Sequence, residues 1–211
     1  CFQKLKSQFE QQELDLEPHL ATVVRESLKL SRGYELPNLS FEEPEIRKSS
    51  FALVSTIPGW KTSDRAFEIW STGFLGVTAY DGDQFVELNA YEDGVLYKES
   101  TGIERDAVLE FSFAHRGRNG DDTLKLTIID LGADNAVGGG DDLELFAKEY
   151  TTGKDAWAVY NSRTEPEIKA IGNKVRFAYT AIRATGGKGP ENTEGNFLDS
   201  AEFGVGVVTT K

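Results

Sequence analysis

Two groups of side chains in this chain are spaced to do chemistry, and neither is a catalytic set. The first lies in Gln84–Tyr91 and Ala107–Arg116, where the residues alternate with period two. Val86, Leu88 and Ala90 point one way, and Phe85, Glu87, Asn89 and Tyr91 point the other. Leu109, Phe111 and Phe113 likewise form a core face, leaving Glu110, Ser112 and Arg116 opposite. Two such polar faces side by side would make a groove. Flat rings over the C–H face of a sugar, with planar groups for its hydroxyls, are what saccharide recognition requires. Trp70 beside Ser71, Thr72 and Gly73 reads as a strand-end platform, with Tyr80 and Tyr91 as further rings; Glu87, Asn89, Arg116 and Arg118 supply polar partners. The same residues also suit a solvated sheet face, and Arg118 sits in an Asn119-Gly120 turn that reads as a β-hairpin, its arginines pairing with Asp121 and Asp122.

The second group is acidic. Asp130, Asp134, Asn135, Asp141 and Asp142 crowd a glycine-rich segment, a run of hard oxygens on flexible backbone that suits calcium but lacks the last glutamate of an EF-hand loop. An acidic solvated loop is the plainer alternative. Glu42 and Asp199 interrupt apolar stretches, where a carboxylate is costly unless paired or metal-bound.

Catalysis finds little support. The only histidines are His19 and His115 and the only cysteine is Cys1, so no zinc cluster or disulfide can form within the chain. Acids are too numerous for the spacing of any one pair to identify a glycosidase. The chain therefore reads as a binding protein, not an enzyme. With 35 acidic against 23 basic residues and a net charge of -12, it repels phosphate backbones, which excludes nucleic acid as a partner. No apolar run approaches the ~20 residues of a spanning helix.

The elements that must position these groups change character along the chain. Phe2, Leu5 and Phe9, then Leu20, Val23, Val24 and Leu28 after Pro18, recur at helical spacing, and Gly33 is placed to end the second stretch. Residues 1–36 read as a helical extension or linker and 37–211 as one domain. From Phe41 on, short apolar segments are separated by Gly, Asp and Asn, and no internal repeat is apparent. Ten strands are predicted: 51–56, 66–70, 84–91, 95–98, 107–116, 123–130, 143–150, 156–160, 174–183 and 197–207. Strands at this spacing without intervening helices predict an all-β antiparallel sandwich. Trp60 and Trp157 read as inward-facing core residues. Asn38-Leu39-Ser40 matches a glycosylation sequon but lies at a strand entry and is discounted.

The ends of the domain carry a resemblance. Asn38-Leu39-Ser40-Phe41-Glu42-Glu43-Pro44 followed by Ile57-Pro58-Gly59-Trp60, and Asn196-Phe197-Leu198-Asp199-Ser200-Ala201-Glu202-Phe203 at the end, together resemble the galactose-binding-like jelly rolls. Within these, the xylan- and β-glucan-binding carbohydrate-binding modules, and plant cell-wall proteins with the same domain, are the families the motifs suggest. The resemblance implies a jelly-roll sandwich, an early Trp plugging the core at Trp60, and a structural calcium held by the acids of the first and last strands, here Glu42 and Asp199. It implies a noncatalytic, calcium-stabilised module that binds a glycan or polysaccharide outside the cell. A chain starting at Cys1 also suits a lipoprotein anchored at a bacterial cell surface. Two other functions fit the same residues: an adhesin module capturing a peptide or cell-surface protein, and a structural surface or matrix domain.

Overall fold

The structure, a computed structural model, describes residues 38–172, 174–186 and 193–206. The expectations for the helical extension, for Cys1 and for His19 fall outside the described residues.

Twelve strands are described: β1 (Phe51–Val54), β2 (Lys61–Thr62), β3 (Phe67–Ser71), β4 (Gln84–Glu87), β5 (Val95–Thr101), β6 (Val108–Arg116), β7 (Asp122–Asp130), β8 (Leu143–Thr152), β9 (Ala158–Asn161), β10 (Ile168–Lys169), β11 (Lys174–Arg183) and β12 (Phe197–Val205). They form two antiparallel sheets. One has seven strands in the order β1-β3-β4-β12-β6-β10, with β9 also paired to β6; the other has five, β2-β5-β11-β7-β8. The sandwich and a counterpart of each of the ten predicted strands are present, although the strand expected over 84–91 ends at Glu87. The two-residue strands β2 and β10 carry too short a pattern to be read from sequence.

Alternation decides what faces the interior. Ile69, Val86, Leu109, Phe111, Phe113 and Leu198 from the seven-stranded sheet, with Leu88 just after β4, meet Leu124, Leu126, Ile128, Val175, Phe177 and Tyr179 from the five-stranded one. Each such side chain contributes roughly 1.5–3 kcal/mol by leaving water. Trp60 plugs this core as the resemblance implied. Its ring lies 5.0 Å from Phe41 and 6.3 Å from Tyr179, and its Nε1 donates to the Asn38 carbonyl at 2.9 Å. Lys98 points inward with Leu96, and its ammonium sits 4.6 Å from the Trp60 ring centre; burial lowers its pKa to about 8.

Two local expectations are corrected. Residues 117–121 do not turn a hairpin. Strand β6 ends in the seven-stranded sheet and β7 begins in the five-stranded one, so this segment carries the chain across the sandwich. Trp157 is not in the core between the sheets. It packs on the outer face of the seven-stranded sheet against Phe85 at 5.4 Å, with its Nε1 donating to the Thr78 carbonyl.

Candidate functional site

The residues expected to form a sugar groove are assembled on one face but mostly sealed within it. On the outer face of the seven-stranded sheet, the register runs Glu68 to Glu87, Glu87 to Phe197, and Phe197 to Arg116. Glu87 and Arg116 therefore share a sheet and a face, with β12 between their strands. Trp70, however, is only 2% exposed. It forms a second apolar cluster with Val77, Phe85 and Phe197, roofed by Phe74, Ala79 and Trp157. The open platform expected at Trp70 is thus replaced by a small outer core, because the segment after β3 folds back over its own strand.

The polar groups there are paired with one another. Glu87 is 3% exposed and accepts from Arg118 Nη1 at 3.0 and 3.1 Å and from the Gly195 N–H. The Arg118 guanidinium lies 4.8 Å over the Trp70 ring, and Trp70 Nε1 donates to Glu68 at 2.9 Å. Burial raises the pKa of Glu87 well above its usual value, as does the neighbouring Glu68; Glu68 is itself raised by burial. This carboxyl pair is enclosed, so it builds the fold. The remaining predicted readers are dispersed. Asn89 is fully buried, bonded to Asp93 and Asn196; Tyr91 lies in the turn after β4 under the Arg65 guanidinium at 4.5 Å; Arg116 is half-buried, with Nε donating to the Lys154 carbonyl. His115 is buried between Thr152 and Asn196, and burial lowers its pKa to about 4.

Glu42 and Asp199 converge on the same segment. Asp199 Oδ2 accepts from the N–H groups of Tyr80 and Asp81, and Glu42 Oε1 accepts from those of Asp83 and Gln84. The strands themselves are not neighbours, since β3 and β4 lie between β1 and β12; the contact runs instead through the Ala201 N–H to the Leu39 carbonyl. Burial raises the pKa of Asp199 to about 7 and raises that of Glu42. Asp81 and Asp83 add to the negative charge around Glu42. These acids supply the charge a divalent cation needs, but their oxygens accept main-chain N–H groups. Among the described residues, no three His, Cys, Asp or Glu side chains converge as a metal cage. The second acidic segment behaves alike: Asp130 accepts from Gly132 and Gly172, Asp134 from Ala136, and Asp141 from Ala133, each bond shaping the loop.

The open polar face is on the other sheet. Across the five-stranded sheet the register sets Lys61 beside Tyr97, then Ala178, Thr127 and Ala147. Glu99, Arg176 and Ile129 flank this row on one side, and Thr180, Lys125 and Glu149 on the other. Small side chains in the middle and larger ones on both sides make a low row across the strands. Tyr97, Arg176, Lys125, Thr180 and Ile129 are partly exposed, while Ala178 and Thr127 at the floor of the row are buried between them. The Arg176 guanidinium lies 4.1 Å from the Tyr97 ring centre, a planar pair held by the Glu99 carboxylate.

Sequence reading missed this face, although the signal was present. In Val95–Thr101 and Lys174–Arg183, Leu96, Val175, Phe177 and Tyr179 alternate inward, which turns Tyr97, Glu99, Arg176 and Thr180 outward. The inward Lys98 blurred the pattern.

No protein-family model matches the chain, and no curated protein matches it. Solved structures do. The tandem CBM22-1–CBM22-2 domain of Paenibacillus barcinonensis Xyn10C is 10% identical, with a TM-score of 0.50 over 76% of this chain and 50% of that one. Its CBM22-2 xylan-binding domain alone is 10% identical, with a TM-score of 0.49 over 75% and 99% of the respective chains. TmCBM61, solved with β-1,4-galactotriose, is 15% identical, with a TM-score of 0.47 over 81% and 97%. What this chain shares with the tandem CBM22 domain is the fold, an antiparallel jelly-roll β-sandwich.

Proposed function

We propose that the protein is a noncatalytic carbohydrate-binding module, working outside the cell or at its surface, that lays a glycan along the low row of the five-stranded sheet. The observation that supports this is the stacked Tyr97–Arg176 pair at one end of a row of small residues flanked by Lys125, Thr180 and Ile129. The stacked pair as a unit gives the sugar a flat contact, and the flanking polar groups reach its hydroxyls. Affinity is modest, because a shallow hydrated surface must replace hydrogen bonds that sugars already make with water. Titration of xylan, β-glucan and galactan oligosaccharides tests the reading. Tyr97→Ala is expected to weaken binding roughly tenfold with little change in melting temperature, since the ring is partly exposed on an outer face. Binding unchanged by this substitution would place the site elsewhere.

Calcium belongs to the same proposal. Its support is the crowding of Glu42, Asp81, Asp83 and Asp199 around one segment, where a cation would offset their repulsion.

A second reading, capture of a peptide or protein, is favoured by one observation. Strand β1 is the edge of the seven-stranded sheet and carries Phe51 and Leu53, 46% and 42% exposed, a template for strand addition.

A further inference from the structure

The charges beside Tyr97 do not balance. Among the described residues, Glu99 is the one carboxylate paired with three cations: Arg176 bonds its Oε1 through Nε at 3.1 Å and Nη2 at 2.5 Å, while Lys174 and Lys61 approach its Oε2 at 3.2 and 3.4 Å. The Lys174 ammonium also donates to the neutral Asn135 carbonyl. One negative charge against three positive ones leaves an excess of two within ion-pair distance of a single side chain.

Two features make this more than an ordinary surface pair. The protein has twelve more acids than bases, so the excess runs against its overall composition. The cluster is also partly withdrawn from water: the Glu99, Arg176 and Lys174 side chains are 13%, 20% and 21% exposed, whereas Lys61 is 62% exposed. Cations held together in that setting repel one another more than they would in bulk water. Burial alone would raise the Glu99 pKa, but hydrogen bonds from Arg176 and Lys174 and the charge of Lys61 outweigh it and lower it.

A second anion would relieve the repulsion. Lys61 is placed to admit it, being the exposed member, paired in register with Tyr97 and with its ammonium 6.0 Å from that ring. Over a Debye length of about 8 Å at physiological salt, such an anion responds to these neighbours more than to the diffuse negative charge of the whole surface.

From this cluster we infer that the module is selective for acidic glycans: a sugar stacked at Tyr97 places a carboxylate or sulfate among Lys61, Lys174 and Arg176. This rests on the reading of the five-stranded face as the glycan site. Charge-assisted hydrogen bonds to the added anion supply the preference, and a neutral sugar on the same row forgoes them.

The experiment is calorimetric titration with matched ligands: neutral xylo-oligosaccharides, the same oligosaccharides carrying glucuronate branches, and sulfated xylan, alongside neutral galactan and galacturonan oligomers. Acidic ligands are expected to bind roughly tenfold tighter than their neutral counterparts. Lys61→Gln and Lys174→Gln are expected to shrink that ratio, and the double variant to bring it close to one; melting curves confirm that each variant is folded. Preference for carboxylated ligands, sulfated ligands or both identifies the anion. Equal affinity for neutral and acidic ligands, or a preference that survives the double variant, overturns the inference while leaving the five-stranded face as the glycan site. Failure of every ligand to bind overturns that reading and the inference with it.

Discussion

Arg118 illustrates how a residue suited to meet a ligand can be committed to its own fold. Its guanidinium covers Trp70 and pairs with Glu87, which faces Glu68 directly across two strands. Removing the cation leaves two enclosed carboxyl groups without a counter-charge. Arg118→Ala is therefore expected to destabilise the protein by about 3–5 kcal/mol near neutral pH. Adding Glu87→Gln to that variant should recover part of the loss, because it removes the charge left behind. Urea denaturation of both single variants and the double variant measures the coupling. Additive losses would mean that Arg118 stabilises through packing on Trp70 and not through the carboxylate. The same geometry explains why Trp70 cannot serve as a platform: the outer apolar cluster encloses its ring, which is 2% exposed, whereas Tyr97 is partly exposed.

At the scale of elements, the segment between β6 and β7 decides the architecture. It takes the chain from one sheet to the other, and it does so past Gly117, where a Cβ would lie 2.0 Å from the Gly120 carbonyl oxygen and 2.7 Å from that of Thr152. Those neighbours are backbone and cannot step aside as a flexible side chain would. Gly117→Ala should lower the melting temperature clearly, whereas Gly204→Ala on β12, with nothing within 4 Å of the added carbon, should barely move it. A melting scan of the two variants checks this. Equal effects would show that the crossing relaxes freely. The Asn119-Gly120 signal is genuine turn chemistry, but a turn signal does not specify whether its two strands pair with each other.

For the whole molecule, charge sets how stability varies with pH. Burial raises the Asp199 pKa from 3.8 to about 7, against main-chain hydrogen bonds that lower it. The folded state therefore holds this proton more tightly than the unfolded chain does. Its contribution is fully present below the unfolded pKa of 3.8 and is lost as pH rises through about 7. Asp199→Asn should flatten the fall in stability across that window. Calcium, by substituting for the proton beside Glu42, should raise the melting temperature most above pH 7, and Asp199→Asn should abolish that rise. Denaturation midpoints against pH, with calcium and with chelator, measure both effects. A calcium response unchanged in Asp199→Asn would remove this residue from any cation site, and a pH profile unchanged in it would assign the proton to another group.

What the sequence determined by itself was the two-layer antiparallel sandwich and which residues fill it. Strand alternation is a local property, and burying Phe111, Phe113, Val86 or Leu88 is favourable in any arrangement that places their faces inward. The plugging role of Trp60 was also legible, through the motifs at the two ends of the domain. Those motifs implied neighbouring first and last strands for Glu42 and Asp199, which instead accept main-chain N–H groups of the one segment that leads from β3 into β4. Only the tertiary structure decided which polar faces stay open. Period two assigns Glu87 and Trp70 to the face opposite the core, but it does not say that the segment after β3 and Arg118 will cover that face. It likewise turns Tyr97 and Arg176 outward without revealing that they stack beside three cations sharing one carboxylate. The physical reason is one of range. Which way a side chain points follows from its own strand, whereas its access to solvent depends on elements brought to it from far along the chain, as Arg118 is to Glu87 across 31 residues and Gly195 to the same carboxylate across 108.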